Sequence, residues 1–390
     1  MKILLLHNFY KHRGGEDNVV LTECSLLKEM GNIVSTFYAE NKSIRSFKQK
    51  LDAALYSTYS EKSKISLRKK IKEFLPDIVH VHNFFPLLTP SVYDAIRIEG
   101  IPVVQTLHNY RIICPNAMFL RNGRVCEDCL TGTSYNSVLH GCYRNSIIGS
   151  LAVATMVETH RKRQTWQKKV NRFIALTEFA RQKFIGAGLP EEKIEVKSNF
   201  ISPDPGTRNG QGNYALFVGR ISPEKGILTL LKAWKRIRKI PLKIVGDGPL
   251  VERTRRIVEF ENINNIELLG YCDRIRVFKL LKEANFLIFP SEWYEGFPMT
   301  LVEAFACELP VVASRIGGIA EIVDDEVTGV HFEPGDPDDL ADKIQWLLDH
   351  SDVCRRIGKN ARGVFLEKYT AKKNYENLMN IYLKAIDENR

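Results

Sequence analysis

Two glutamates, Glu295 and Glu303, stand eight residues apart in a stretch whose residue types suit a polyol ligand. The apolar residues 285–290 predict a buried strand before them, and the apolar spacing of residues 299–307 predicts a helix packed against a sheet. Glu295 is then expected in the loop before the helix and Glu303 inside it. Because a carboxylate accepts two hydrogen bonds side by side, each suits a vicinal diol, one on a sugar ring and one on a ribose. Taken alone, the pair is equally compatible with surface glutamates near a helix start.

The start of that helix is a second candidate for contact with a ligand. Pro298 fits a first helical turn, where the missing N–H of proline removes no helical hydrogen bond. The backbone N–H groups of Phe297, Met299 and Thr300 would point at a ligand seated there, and the helix dipole favours a phosphate.

A charged turn further upstream is another candidate for phosphate binding. Residues 217–226 predict a strand ending in Gly219, followed by Arg220, a turn and Lys225. A guanidinium contacts phosphate oxygens in pairs, and an ammonium is a compact point charge. The two side chains are therefore expected to bracket a diphosphate and to stabilise its charge as it leaves. Ordinary surface charge is the simpler alternative for either residue alone.

The elements that would position these residues alternate along the chain. Apolar runs typical of strands are separated by amphipathic helical segments, which predicts parallel βαβ units in an α/β fold. The 390 residues suit two domains, joined by a linker rich in Pro, Gly and Asn at residues 201–213. The predicted strands are residues 2–6, 77–81, 102–107 and 173–176, then 214–218, 242–245, 266–269, 286–289 and 311–313.

In order and spacing, these motifs resemble the retaining glycosyltransferases of the GT-B class whose hallmark is Glu-x7-Glu, known as glycosyltransferase family 4 or glycosyl transferases group 1. The resemblance covers nearly the whole chain and implies two Rossmann-like, doubly wound domains facing a central cleft. The motifs that carry it are the Gly14-Gly15 turn, His108 at a strand end, Asn199, Gly219-Arg220 with Lys225, Gly246-Asp247-Gly248, and Glu295 with Glu303.

The resemblance also implies domain limits and residue roles. Residues 1–200 would form the acceptor-side domain with a cysteine-rich insertion at about 110–145, residues 214–371 would bind the nucleotide-sugar, and residues 372–390 would form a helix crossing back to the first domain. Catalytic roles fall on His108, Arg220, Lys225 and Glu295. Donor-binding roles fall on Gly14, Gly15, Gly219, Gly248, Gly296, Phe297, Pro298, Met299, Thr300 and Glu303.

The reaction implied is transfer of a hexose, with glucose as first guess, from a UDP-sugar to a hydroxyl of a glycan or lipid-linked acceptor in polysaccharide biosynthesis. Asp336-Pro337-Asp338 has the spacing of a metal-binding pair but is expected to cap a helix, so no catalytic cofactor is expected. Two alternatives stay open: a sugar-nucleotide epimerase on the same fold, and a nucleotide-sugar-binding partner protein without turnover. A dinucleotide oxidoreductase is disfavoured because Pro249 follows Gly248 and the usual third glycine is missing.

Half of the eight cysteines fall in one loop-like region. Cys126 and Cys129 form a C-x2-C knuckle, and four thiolates can bind zinc tetrahedrally. The sequence therefore indicates a structural zinc site that would order this insertion. Semi-buried thiols and a redox pair are the alternatives. The four candidate ligands are Cys114, Cys126, Cys129 and Cys142.

Two further groups of polar residues lie at predicted strand ends. His80 and His82 alternate and so share one strand face, but without a third ligand at fixed spacing they are expected to be polar residues near the acceptor. Glu16 and Asp17 are expected to cap the helix after the glycine turn.

The formal net charge of +10 and the pI near 9.1 favour a negatively charged partner. No recognisable nucleic-acid module accompanies the charge, so an anionic membrane surface is the preferred expectation, and a solvated helix face is the alternative. No apolar run approaches the roughly 20 residues of a membrane helix, and the first residues do not resemble a signal peptide, so a cytoplasmic or inner-face peripheral location is expected. The densest basic run is Lys62, Lys64, Arg68, Lys69, Lys70 and Lys72.

Overall fold

The computed structural model describes residues 1–11, 14–208, 210 and 212–389 of the chain. These residues fold into two compact units. The first comprises Met1–Arg121, Cys126–Asn199 and Asn374–Arg390, and the second comprises Asn122–Val125 and Phe200–Lys373. The chain therefore enters the second unit after Asn199 and returns to the first after Lys373. Residues 209 and 211 of the predicted linker lie outside the described residues.

The first unit is built around a six-stranded parallel sheet in the order β2-β1-β3-β4-β7-β8. The central strands β3 and β4 are buried along their whole length, as expected when helices cover both faces of a parallel sheet. The strands of this part of the chain are β1 Lys2–Phe9, β2 Ile33–Glu40, β3 Ile78–Val81, β4 Val103–Leu107, β5 Leu120–Arg121, β6 Arg124–Val125, β7 Arg172–Ala175 and β8 Ile194–Val196.

Several helices of the first unit begin after a Ser or Thr whose side chain caps a free N–H group. Ser60, Ser146 and Thr177 each accept a hydrogen bond from a first-turn N–H. The helices here are α1 Gly15–Glu29, α2 Phe47–Leu55, α3 Glu61–Phe74, α4 Ser91–Ile98, α5 Asp128–Thr131, α6 Asn136–Leu139, α7 Ile147–Lys162, α8 Thr165–Lys169 and α9 Glu178–Gly186, with 3₁₀ turns at Asn41–Ser43 and Glu191–Lys193.

The second unit holds another six-stranded parallel sheet, in the order β11-β10-β9-β12-β13-β14. Alternate side chains of its strands enter separate cores, because Leu216 and Leu287 pack on one face and Phe217 and Ile288 on the other. The strands are β9 Ala215–Val218, β10 Leu242–Val245, β11 Ile266–Gly270, β12 Phe286–Phe289, β13 Val311–Ser314 and β14 Gly329–Phe332.

The strand order of the second sheet reverses between β9 and β12, and loops that follow such neighbouring strands form the usual ligand crevice of an open α/β sheet. These two loops carry the charged turn and Glu295. The remaining helices are α10 Ile227–Trp234, α11 Val251–Phe260, α12 Arg274–Glu283, α13 Met299–Ala306, α14 Gly317–Ile322, α15 Pro337–Asp349, α16 Ser351–Lys368 and α17 Ala371–Asp387, with a 3₁₀ turn at Pro223–Lys225.

Helix α17 supplies core residues to the first unit. Leu378, Ile381 and Tyr382 pack with Ile3 and Ile78 of the first sheet. The predicted helix of residues 372–390 thus lies at Ala371–Asp387, and from Asn374 onwards it belongs to the first unit.

The predicted fold class is confirmed, since both units have doubly wound parallel sheets.

Two predictions about the starts of helices have different outcomes. Asp336 caps α15 by accepting hydrogen bonds from the N–H groups of Asp338 and Asp339, with Pro337 as the first helical residue, as predicted. Pro298 is not in the first turn of α13 but precedes it as the cap residue, because its ψ of 88° is not helical.

Candidate active site

The loops after β9 and β12 are joined by close backbone packing. Gly226 has a φ of +68°, and a Cβ placed there would lie 1.7 Å from the carbonyl oxygen of Pro290, so only glycine fits. The carbonyl oxygen of Glu224 accepts hydrogen bonds from the N–H of Glu292 at 2.9 Å and from Ser291 Oγ at 3.3 Å. This packing fixes Lys225 beside the loop that carries Glu295.

Lys225 and Glu295 form the centre of the site. Lys225 Nζ lies 2.6 Å from Glu295 Oε1, and the same oxygen accepts hydrogen bonds from Ser291 Oγ at 2.7 Å and Trp293 Nε1 at 3.0 Å. The ammonium also lies 5.5 Å from the ring centroid of Phe289 and 5.8 Å from that of Trp293. Three donors on one oxygen hold the carboxylate in one orientation.

The second carboxylate oxygen of Glu295 and the neighbouring arginine keep their hydrogen-bonding capacity. No hydrogen bond to Glu295 Oε2 is found among the described residues, and the Lys225 side chain retains 21% of its surface exposed. Arg220 is exposed, and it has no ion pair or hydrogen bond within the part of the chain that the structure describes. One acceptor oxygen and two cations are therefore available to an outside ligand.

Glu303 lies in helix α13, eight residues after Glu295 in the chain. The first residues of this helix, Met299 and Thr300, have N–H groups that precede the first intrahelical hydrogen bonds, and no side chain caps them. Burial raises the pKa of the half-buried Glu303 carboxyl, and the Arg274 guanidinium lowers it in part. Gly296 and Phe297 complete the loop, with Phe297 packed edge-on to Tyr369 at 6.1 Å.

The predicted glycines of the donor set have different structural roles. A Cβ on Gly248 would lie 2.4 Å from the carbonyl oxygen of Ile221, so this residue lets the loops after β9 and β10 pack together. On Gly219 a Cβ would contact only the Phe217 ring, at 3.4 Å. Packing therefore requires glycine at Gly248 and does not require it at Gly219.

In the first unit, Gly14 and Gly15 begin helix α1 and are exposed, with no atom within 4 Å of a Cβ built on Gly14. Asp17 takes part in the helix cap as predicted, since its Oδ2 accepts from the N–H of Gly14 at 3.1 Å. Glu16 does not cap the helix. Its Oε2 accepts hydrogen bonds from Tyr10 Oη at 3.0 Å and Asn109 Nδ2 at 3.1 Å, and burial raises the pKa of its carboxyl.

His108 follows β4 and joins a buried polar network that the sequence did not reveal. His108 Nε2 lies 3.0 Å from His82 Nδ1, and the two rings stack with centroids 5.3 Å apart. His80 is bonded on both ring nitrogens, to Tyr382 Oη at 2.7 Å and Thr106 Oγ1 at 2.8 Å. His108 itself is 9% exposed.

Glu23 corrects the expectation that His80 and His82 lack a third partner. Its carboxylate and the two imidazoles bring three possible ligand atoms within 4.8 Å of one another. However, Lys197 Nζ lies 3.1 Å from Glu23 Oε2, with both side chains about 2% exposed. Because an ammonium already neutralises the carboxylate, the arrangement disfavours a divalent cation. The sequence could not reveal this cluster, since Glu23 and Lys197 are brought together only by the fold.

The four clustered cysteines share one region of the first unit. Cys114 and Cys129 are buried and Cys126 and Cys142 half-buried, and the N–H of Cys126 bonds to the carbonyl oxygen of Phe119 at 2.7 Å. Burial, and then the three other thiols, raise the pKa of Cys129 to about 12. Among the described residues, the only three possible ligand atoms within 4.8 Å of one another are those of the Glu23 cluster, so the sulfurs do not reach that spacing.

The predicted basic run lies on helix α3, and carboxylates neutralise part of it. Lys64 pairs with Glu61, Lys69 with Glu73, and both Arg68 and Lys72 with Glu99. Among the described residues, no helix is both long and apolar enough to cross a lipid bilayer.

Comparison with known proteins identifies the class to which this fold and site belong. The profile of the glycosyl transferases group 1 matches residues 200–364, and that of glycosyltransferase family 4 matches residues 56–205. Together they span both units, and the chain belongs to this family of GT-B glycosyltransferases.

Similar proteins include enzymes of several specificities. An alpha-D-kanosaminyltransferase of Streptomyces kanamyceticus is 23% identical over 81% of this chain and 79% of its own length. An uncharacterized glycosyltransferase of Methanocaldococcus jannaschii is 35% identical, but the match covers 46% of this chain and only 50% of that relative. Among solved structures, Anabaena HepE in complex with UDP has a TM-score of 0.71 at 19% identity, over 97% of this chain and 99% of HepE. Identity at that level shows the shared fold alone.

Proposed function

We propose that this glycosyltransferase moves a hexose from a UDP-sugar to a hydroxyl of a glycan or lipid-linked acceptor in polysaccharide biosynthesis. The observation that carries the proposal is the Lys225–Glu295 pair, which leaves one carboxylate oxygen and the exposed Arg220 available where the strand order of the second sheet reverses. Glucose is the first donor to test, and HepE, with which this chain shares the fold, has been solved with UDP-glucose.

Each polar group has a distinct role in the proposed reaction. Arg220 and Lys225 hold the diphosphate and stabilise its charge as the bond to the sugar breaks. Glu295 accepts hydrogen bonds from the sugar hydroxyls, and Glu303 accepts those of the ribose. The free N–H groups at Met299 and Thr300 add a positive helix end near a phosphate.

The proposed chemistry retains the configuration of the anomeric carbon. The acceptor hydroxyl attacks from the face on which the diphosphate leaves, the C–O bond to the diphosphate breaks, and a leaving phosphate oxygen takes the acceptor proton. Arg220 and Lys225 supply the charge that a cation supplies in metal-dependent transferases, so we propose metal-independent transfer. In support, the Asp336 side chain of the Asp336-Pro337-Asp338 stretch is engaged as a helix cap.

Two experiments separate this proposal from its alternatives. Release of nucleoside diphosphate is measured from a panel of UDP-, GDP- and ADP-sugars, with EDTA and without added acceptor. Slow hydrolysis of one UDP-hexose that survives EDTA is expected; UDP binding without turnover of any donor would instead favour a binding partner protein. Recovery of an epimerised donor sugar would favour an epimerase.

The second experiment uses Glu295→Ala to distinguish an enzyme from a protein that only binds the nucleotide-sugar. An enzyme that uses Glu295 to hold the sugar should lose turnover while it keeps UDP affinity. A sensor would lose nucleotide-sugar binding and have no turnover to lose.

We propose that Cys114, Cys126, Cys129 and Cys142 hold a structural zinc ion, which would draw the four thiolates closer together than they lie here. Thiolate ligation would also lower the high pKa that burial gives Cys129. Metal analysis of the purified protein should find one zinc, lost in Cys126→Ser with lower thermal stability. Metal-free protein with four rapidly alkylated thiols would contradict this site.

We also propose peripheral docking at the cytoplasmic face of a membrane through the first unit. In support, Ile147 and Ile148 at the start of α7 and Leu139 of α6 are 65%, 71% and 81% exposed, and Lys62 and Lys70 carry charge on α3. Cosedimentation with anionic liposomes, and less with neutral ones, is expected. Absence of binding at low salt would contradict docking.

A further inference from the structure

A continuous series of buried side chains joins Glu23 on helix α1 to His108 at the end of β4. Glu23 Oε1 lies 3.3 Å from His82 Nε2, and His82 Nδ1 lies 3.0 Å from His108 Nε2. Neither Glu23 Oε1 nor His82 Nε2 has a hydrogen-bond partner of good geometry among the described residues. His80 Nδ1 also lies 3.3 Å from Glu23 Oε1, but it is bonded to Tyr382 Oη, so His82 Nε2 is the unpartnered ring nitrogen beside the carboxylate. All three residues belong to the first unit.

The charges in this cluster are fixed by burial and by Lys197. Burial opposes ionisation of Glu23, but the Lys197 ammonium and His82 outweigh it and hold the pKa of the carboxyl well below its usual range. Burial lowers the pKa of His82, and that of His108 well below the ordinary histidine value. Near neutral pH the Glu23 carboxyl is therefore ionised, and the imidazoles of His82 and His108 are neutral.

A neutral imidazole carries one N–H, and Glu23 decides which nitrogen of His82 has it. A carboxylate only accepts hydrogen bonds, so a bare His82 Nε2 would place two lone pairs against each other in a buried site. The proton of His82 thus belongs on Nε2, and its Nδ1 is an acceptor. The nitrogen of His108 that faces this acceptor, Nε2, must then carry the proton of that ring.

His108 Nδ1 is consequently a bare acceptor, and no hydrogen bond to it is found within the described part of the chain. We propose that Glu23 and His82 are positioning residues that hold His108 in its Nε2-protonated form, so that Nδ1 accepts a hydrogen bond from a hydroxyl of a bound sugar. This inference rests on the proposed function for the identity of the ligand, a sugar. No proton is transferred to His108, because the leaving phosphate takes the proton of the attacking hydroxyl.

His80 provides a matched control for His82. Both imidazoles lie 3.3 Å from Glu23 Oε1 and both are buried on β3 or directly after it. His80, however, bonds to Tyr382 and Thr106, whereas the hydrogen bond of His108 found among the described residues is to His82. Replacement of His80 by phenylalanine should therefore disturb the packing as much as replacement of His82, without changing the hydrogen bond of His108.

The test is the tautomer of His108 in protein labelled with ¹⁵N-histidine, measured by long-range ¹H–¹⁵N NMR and assigned by its loss in His108→Gln. The wild-type protein should show protonated Nε2 and bare Nδ1. His82→Phe should abolish this preference and His80→Phe should keep it. Protonated Nδ1 in the wild type overturns the inference, whether or not the His82→Phe and His80→Phe variants fold.

Kinetics supply a second readout. His82→Phe should lower kcat/KM for sugar transfer roughly 3- to 10-fold, the effect of one weakened neutral hydrogen bond, with UDP affinity unchanged. Glu23→Asp should restore part of the transfer lost in Glu23→Ala. An equal effect of His80→Phe and His82→Phe on transfer overturns the positioning role. If the wild-type protein binds UDP but transfers no sugar, the proposed function fails. The His108 tautomer then still tests whether Glu23 and His82 hold His108 in its Nε2-protonated form.

Discussion

A lysine–glutamate pair of the first unit, Lys197 with Glu23, and one of the second unit, Lys225 with Glu295, differ in their access to water. Glu23 and Lys197 lie 3.1 Å apart with about 2% of each side chain exposed, and the buried imidazoles of His80 and His82 lie 3.3 Å from Glu23. Lys225 and Glu295 lie 2.6 Å apart with 21% and 7% exposed, at the ends of strands. The same two residue types thus form a closed internal network in one place and an open ligand site in the other.

Solvent access decides which of these charges an outside ligand can reach. A buried pair loses solvation that its mutual attraction must offset, so removal of one partner destabilises the fold. A pair that solvent partly reaches is screened more, and its loss should destabilise the fold less. Four predictions test this contrast, beginning with the largest expected effect.

Glu23→Gln should destabilise the protein by about 3–5 kcal/mol at neutral pH, because it leaves the Lys197 ammonium buried without its counter-charge. Urea unfolding of the wild type, the single variant and Glu23→Gln/Lys197→Met measures this, and the double variant should recover much of the loss. Because the folded pKa of Glu23 is depressed, its contribution is present above the unfolded value of about 4.3 and is lost as pH falls. A single variant as stable as the double would contradict the internal pair.

Lys225→Ala should lower kcat roughly 100- to 1,000-fold, as expected for loss of one preorganised group at the developing charge. The melting temperature should fall less than in Glu23→Gln, because the Lys225 side chain is 21% exposed and Glu295 keeps the hydrogen bonds of Ser291 and Trp293. Lys239→Ala is the matched control, because Lys239 also pairs with a carboxylate, that of Asp349, but lies exposed and away from these loops. An equal loss of kcat in both variants, measured by steady-state kinetics, would contradict a catalytic role for Lys225.

Gly226→Ala should destabilise the second unit by about 1–3 kcal/mol and weaken donor binding together with stability. The reason is the contact of the added Cβ with Pro290 and the positive φ of the position. Gly363→Ala in helix α16 has open space around it and should instead raise stability by about 0.5–1 kcal/mol. Thermal denaturation and UDP titration of both variants measure the two effects, and a neutral Gly226→Ala would show that the two loops are not tightly joined.

Asp204→Asn should have the smallest effect, a loss of about 0.2–1 kcal/mol at neutral pH. Arg362 donates two hydrogen bonds to Asp204, at 2.8 and 2.7 Å, and this lowers the pKa of the carboxyl. A depressed pKa gives a contribution that is present above the unfolded value of about 3.9 and lost as pH falls, so the variant and wild type should converge in acid. A difference that persists at pH 2 would assign the effect to another cause.

The central strands of both sheets were predictable, and three edge strands were not. Strands such as β9 and β12 are continuous apolar runs because helices cover both faces, and this pattern is visible in sequence. The edge strands β2, β8 and β14 were missed. Strand β2 is half-exposed and mixed in polarity, and β14 contains Gly329 and His331, so neither has the apolar run of an internal strand.

The candidate site was predictable where its residues are close in sequence or follow a known motif spacing. Glu295 and Lys225 were both expected, and the structure brings them into direct contact. Ser291 and Trp293 were not singled out, although they lie in the same run and both donate to Glu295. The network around Glu23 was missed because its contacts join residues far apart in the chain, and only the packing of the sheet determines them.

The most direct test of the central claim is calorimetric titration of UDP and of uridine into the wild type and Arg220→Ala/Lys225→Ala. Uridine lacks the diphosphate that these two cations are proposed to hold. UDP affinity should fall at least roughly 100-fold in the double variant, while uridine affinity stays the same. Unchanged UDP affinity, or an equal loss for both ligands, would contradict a diphosphate site at the charged turn.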